Sequence, residues 1–281
     1  SDLYPGPNQV RVTRGGSGAP SEDYLAVGKQ GQMDYWGKAL DQVINLPAGG
    51  ARLLQEQMNE IILQPGQLVY GAYDFTTDHP VQVSVLMLSA YGDPVTAAEQ
   101  LPVLPKDDMK LRGTFKGMNR ILTSPKVYNP DEDGGVYFPL ADNLQDKYRE
   151  GIDATDGSKV INVGNYGIVY KIELPVTGKA QTQYYLSPLG GVYAGAMQVR
   201  YGQSSPSMLP TPLGRPYFGD ATPPESASVE RARLAGTWRL TPHTELTDLG
   251  SYPSDKQTYF EYSPPGASNL PVNIIMLPAH S

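Results

Sequence analysis

From Lys159 to Tyr201 apolar and polar residues alternate with little interruption, and Gly or Pro stands at each corner. A period of two residues puts every second side chain on one face of a pleated strand, so this stretch predicts three strands joined by turns. The same pattern predicts strands at Gln9–Arg14, Gln42–Leu46, Gln67–Phe75, Val81–Ala90, Leu111–Lys116, Arg120–Leu122, Gly135–Leu140, Thr258–Tyr262 and Val272–Leu277. Gln67–Phe75 and Val81–Ala90 flank Thr76–Pro80 as two strands flank a hairpin loop. Gly15–Pro20 breaks the first strand, and Ala51–Asn59 follows Gln42–Leu46 across the turn Pro47-Ala48-Gly49-Gly50.

One region departs from this rhythm. Ser21 as N-cap, with Glu22 and Asp23 behind it, opens a weakly helical stretch to about Leu40, with Leu25, Trp36 and Leu40 facing inward. Gly28, Gly31 and Gly37 each cost a helix about 1 kcal/mol against Ala, which predicts one broken helix or two short ones. Pro94, Pro102 and Pro105 make residues 92–110 a loop, and Ala141–Ile152 holds a short charged helix at most. Six prolines between residues 202 and 226 predict a long loop, either a cover over sheet ends or a linker before C-terminal strands in 227–281. In Val229–Leu240 the Thr237–Leu240 end reads as strand. The C-terminal piece is about 55 residues, marginal for a core of its own, so residues 1–281 read as a single domain.

Together these elements predict an all-β chain: a two-layer antiparallel β-sandwich, Greek-key or jelly-roll-like, with one or two short helices and long Pro-rich loops. Composition agrees. The 281 residues include 30 glycines and 26 prolines, about one residue in five where about 12% is usual. Nineteen tyrosines against five Phe and two Trp suit half-buried sheet faces, where the ring packs and the hydroxyl reaches water. A net charge of −7 with no basic run argues against nucleic acid as a partner. No apolar run approaches the length of a membrane-spanning helix.

The chemistry-bearing residues are sparse. Absence of cysteine excludes disulfides, thiolate metal sites and thiol nucleophiles, and suits a chain exported to an oxidising surface with no stray thiol. The chain starts Ser-Asp-Leu, which suggests a processed product whose signal peptide has been removed. His79, His243 and His280 are its only histidines and none has zinc-helix spacing. Gly15-Gly16-Ser17-Gly18-Ala19 lacks the last glycine of a nucleophile elbow, and no P-loop or dinucleotide fingerprint occurs. Asp131 and Asp133 in one acidic turn, and Asp153 and Asp156 in another, are the candidate calcium ligands, with plain solvated turns as the alternative. Tyr184 with Tyr185, Tyr217 with Phe218, and Trp238 are the candidate aromatic platform for a ligand such as a sugar. Carboxylate pairs for glycoside hydrolysis are defined by a separation in space, so no Glu is singled out.

Three segments resemble a known group: Pro20–Lys29 (PSEDYLAVGK), Val163–Tyr170 (VGNYGIVY) and Gly190–Met197 (GGVYAGAM). They are similar to segments of exported proteins of Gram-positive spore-forming bacteria, which often carry upstream a small module named after the N-terminal domain of copper amine oxidases. The resemblance implies an extracellular or cell-wall-associated β-rich protein and carries no catalytic residue across. No His-x-His pair is present, so amine oxidase chemistry is not implied. The expected role is a non-enzymatic surface or envelope module that binds a polymer or a protein, or acts as a spacer. A carbohydrate-active hydrolase on a sandwich scaffold and a calcium-stabilised adhesion domain are the alternatives.

Overall fold

The computed structural model describes residues 4–105, 112–189, 191–218 and 245–279. Trp238, His243, His280, the Val229–Leu240 segment, and residues 219–226 of the long Pro-rich stretch lie outside the described residues. Within them the chain is mostly β, with several antiparallel sheets and three short helices.

The N-terminal part departs most from expectation. Strand β1 does not stop at Arg14 but runs through the glycines as Asn8–Ser21, bulged between Val12 and Arg14 and again between Gly18 and Ser21. It is the centre of a three-stranded sheet, between β2 (Ala39–Leu46) and β3 (Leu68–Thr77). Helix α1 is continuous over Tyr24–Gly37, and its N-cap is Asp23, whose side chain accepts from the Ala26 amide; Ser21 caps only Asp23 itself.

The glycines that propensity counts against α1 are what seat it. A Cβ on Gly16 would lie 2.3 Å from both the Gly31 carbonyl oxygen and the Tyr35 nitrogen, and one on Gly18 would lie 2.1 Å from the Val27 carbonyl oxygen. A Cβ on Gly28 would lie 2.4 Å from the Gly266 carbonyl oxygen. Helix backbone therefore touches strand backbone on one side and the 263–267 loop on another. That proximity buries Leu25, Val27, Tyr35 and Trp36, each worth about 1.5–3 kcal/mol, more than the glycines cost.

Other expectations are corrected. Residues 51–59 form no strand; only α2 (Glu56–Asn59) is regular there. Val81–Ala90 pairs with no strand among the described residues, and Val83, Val85 and Met87 stand in solvent. Pro94 starts a helix rather than preventing one: it occupies the first turn of α3 (Pro94–Gln100), where its missing N–H costs nothing, and Asp93 caps it. Of the predicted strand Leu111–Lys116, residue 111 lies outside the described residues, and strand pairing over 112–116 is limited to β4 (Thr114–Phe115). No helix forms in 141–152, where one Asp142 oxygen takes the amides of Leu144, Gln145 and Asp146 in a turn before β7 (Arg149–Ile152).

The remaining strands build three more sheets. β4, β7 and β8 (Lys159–Asn162) form a small one. A four-stranded sheet has the order β13-β10-β15-β6, from Thr247–Tyr252, Thr182–Pro188, Val272–Pro278 and Val136–Leu140. A five-stranded sheet has the order β12-β11-β14-β9-β5, from Ser207–Thr211, Gly195–Tyr201, Thr258–Tyr262, Val169–Glu173 and Asn119–Thr123. Its β5–β9 pair is parallel. The predicted three-strand block thus holds four strands, β8 to β11. Part of the predicted Pro-rich loop is β12, whose Pro210 is tolerated because β12 is a sheet edge.

One hydrophobic cluster draws alternate residues from both larger sheets: Tyr184, Leu186, Leu249, Val272, Ile274 and Met276 from one, and Tyr170, Ile172, Met197, Val199, Phe260 and Tyr262 from the other. On the opposite face of the five-stranded sheet, Val169 and Ala196 pack with Tyr35 and Trp36 of α1. Helix α1 therefore lies between the five-stranded sheet and the β2-β1-β3 sheet. The cleft described next opens beside it.

Candidate binding cleft

A cleft of about 700 Å³ opens along β3, with Tyr70, Gly71, Ala72, Tyr73 and Asp74 in succession forming one wall. Successive residues of a strand point to opposite faces, so a lining of five in a row means that the strand's edge borders the space. β3 pairs only with β1, and that edge is free among the described residues. The rest of the lining comes from Tyr148, from most of the stretch between Val163 and Val169, from residues between Ser263 and Leu270, and from Tyr35 of α1.

Polar groups beneath the cleft are tied to one another. The Tyr35 hydroxyl donates to the Asp74 carboxylate at 2.8–2.9 Å. The Arg14 guanidinium lies 5.2 Å from the Tyr35 ring centre and 5.1 Å from that of Trp36, and pairs with Glu261 on β14 at 3.1 Å. Trp36 Nε1 donates to Gln32 Oε1, and Gln32 Nε2 donates to the Tyr70 hydroxyl, which satisfies the fully buried Gln32 amide. The Tyr166 hydroxyl donates to the Ser268 carbonyl, tying the 163–167 loop to the 263–270 loop.

Burial is the first cause raising the phenol pKa of Tyr35, Tyr70, Tyr73, Tyr148 and Tyr166; Asp74 adds to it at Tyr35, and Asp142 and Asp146 add to it at Tyr148. All five are therefore neutral at ordinary pH. None of them is a phenolate nucleophile; Tyr35 is buried, the Tyr70 ring lies against Gly31 and Gly266, and the Tyr73 ring lies over Gly15 and Gly71. Asp74 is the only charged side chain among the described lining residues. Such a surface suits a largely uncharged ligand held by stacking and by backbone hydrogen bonds.

The residues singled out from sequence fall elsewhere. Tyr184 is only 1% exposed and sits in the core against Phe260; Tyr185 is half-buried in β10. Tyr217 bridges to Tyr193 and hydrogen-bonds Thr247, while Phe218 is exposed under Arg215. Asp131 accepts from the Lys179 and Ala180 amides, and Asp133 pairs with Lys126 at 2.6 Å and accepts from the Asn129 amide. Asp153 binds Arg112 at 3.0 Å and Thr155, and Asp156 caps Ser158. Their oxygens face amides and cations, with Lys126 and Arg112 close to where a metal ion would have to sit. Among the described residues no three His, Cys, Asp or Glu converge.

What the sequence did hold was the Gly-Tyr segment Val163–Tyr170, most of which lines the cleft. Pro20–Lys29 supplies the end of β1 and the first turns of α1, and the described part of Gly190–Met197, from residue 191, leads into β11, which packs on that helix. Tyr70, Tyr73 and Tyr148 carried no local signal that sets them apart from the other tyrosines. Neither a scan of protein-family models nor a search of curated proteins returns a match.

Proposed function

We infer that this chain is a non-enzymatic extracellular or cell-envelope module that binds an extended polymer, a surface polymer or protein, in the tyrosine-lined cleft. The single observation that carries the reading is the cleft beside β3, walled by neutral aromatic rings along an open strand edge. The hydrophobic cluster shared by the two larger sheets supports a two-layer β-sandwich as its scaffold. A cysteine-free chain suits an oxidising exterior. Glycoside hydrolysis needs two carboxylates flanking the scissile bond, and among the described lining residues Asp74 is alone.

Trp36, in edge contact with Tyr35 at 4.8 Å, is a built-in reporter. Titrating cell-wall polysaccharides and extended peptides while following its fluorescence is expected to give saturable binding. Tyr73→Ala is expected to weaken it about tenfold or more, the worth of one stacked ring. Binding unaffected by Tyr73→Ala, or no response to any polymer, would contradict this reading.

A further inference from the structure

We propose that residues 81–90 of a second copy of this chain pair with the free edge of β3 as an added strand. The inference rests on the cleft being a binding site and names its occupant. An edge strand presents a row of unpaired N–H and C=O groups, a template for another strand. Val81–Ala90 (VQVSVLMLSA) supplies the counterpart: as a strand it would put Val81, Val83, Val85 and Met87 on one face, yet Val83 is 60%, Val85 97% and Met87 77% exposed. The match extends to length and charge. β3 is ten residues long, as is the 81–90 segment; the chain carries no Asp, Glu, Lys or Arg between Asp78 and Asp93, and the cleft's described lining holds only Asp74.

Pairing within one chain is opposed by how the chain leaves β3. The Asp78 amide donates to the Gln9 carbonyl, and the Asp78 carboxylate pairs with Arg11 at 2.6 Å. Asn8 and His79 exchange hydrogen bonds at 2.8 and 3.1 Å, and Tyr4 stacks on the His79 ring. Asp78 and His79 share a small pocket with Asn45, Leu46 and Pro47 from the end of β2 and the turn after it. The chain is thus carried over β1 toward β2, away from the outer edge of β3, and a tight hairpin back along that edge would break these contacts. Two copies escape the conflict by exchanging the segment reciprocally about a two-fold axis.

Sedimentation velocity of the full chain, from low micromolar to near millimolar concentration, is expected to show monomers passing into dimers. Val85→Lys alters a side chain already in solvent, so the dilute melting temperature should not move. It is expected to weaken dimerisation about ten- to hundredfold, the worth of one buried valine. A monomer at every concentration, or a dimer indifferent to Val85→Lys, would overturn the proposal. So would slow amide exchange across 81–90 in the dilute monomer, which would mean closure on its own β3. Tyr73-dependent polymer binding by a chain that never self-associates would overturn this inference alone and leave the proposed function standing.

Discussion

Gly16→Ala isolates the contact on which the position of α1 depends. The added methyl would meet the Gly31 carbonyl oxygen and the Tyr35 nitrogen at 2.3 Å, and the Asp34 carbonyl carbon at 2.9 Å. All three are backbone atoms of a helix and cannot rotate aside, so strand and helix must separate. Overpacking of this kind costs about 1–3 kcal/mol, and more if Tyr35 and Trp36 lose part of their burial. At about 2–4 °C per kcal/mol for chains of comparable size, the melting temperature should fall about 2–12 °C. Gly37→Ala is the control, because Gly37 lies in the same helix with nothing within 4 Å of its would-be Cβ. That change should be neutral or stabilising by up to about 1 kcal/mol, through propensity alone. Thermal melts followed by circular dichroism, with Trp36 fluorescence reporting on α1, read both variants. A Gly16→Ala protein as stable as its parent, or a Gly37→Ala protein destabilised as much as Gly16→Ala, would refute the close-packing argument.

Two pH dependences follow from groups that folding perturbs. Burial raises the phenols of Tyr184 and Tyr193 to about 12 and that of Tyr170 further, above an unfolded value of about 10. Their contribution is intact below about pH 10 and is lost as pH rises through the folded values, so absorbance titration of the phenolates should show a late, cooperative step coinciding with unfolding. At the acid end Thr155 and Arg112 hold the Asp153 carboxylate below its usual range. Its stabilisation is present above about pH 4 and is lost as pH falls through the lowered pKa, so Asp153→Asn should flatten the melting temperature against pH below about 4.

How much of this was legible in the sequence depends on where the determining contacts lie. β9, β14 and β15 declare themselves, because Val169–Glu173, Thr258–Tyr262 and Val272–Pro278 are β-forming runs bounded by turn residues. β13 was missed: Thr247–Tyr252 contains Gly250 and Ser251 and becomes a strand only by pairing with β10. The glycines of β1 and α1 misled for a related reason. Propensity registers what Gly16 and Gly28 cost their own elements, whereas the offsetting burial comes from elements distant in the chain. Val81–Ala90 shows the reverse, since its local pattern is that of a strand and no described strand pairs with it. The cleft could not be read at all, because Tyr35, Tyr70, Tyr73, Tyr148 and Tyr166 come from four separate parts of the chain and only tertiary packing brings them together.

Amide hydrogen exchange resolved across Leu68–Thr77 in dilute solution tests the account at its centre. An edge strand bonded only to β1 should exchange slowly at every second amide and rapidly at those between, and an extended ligand should slow the rapid set. Uniform slow exchange along the strand before any ligand is added would mean that the edge is already covered, and would contradict the account.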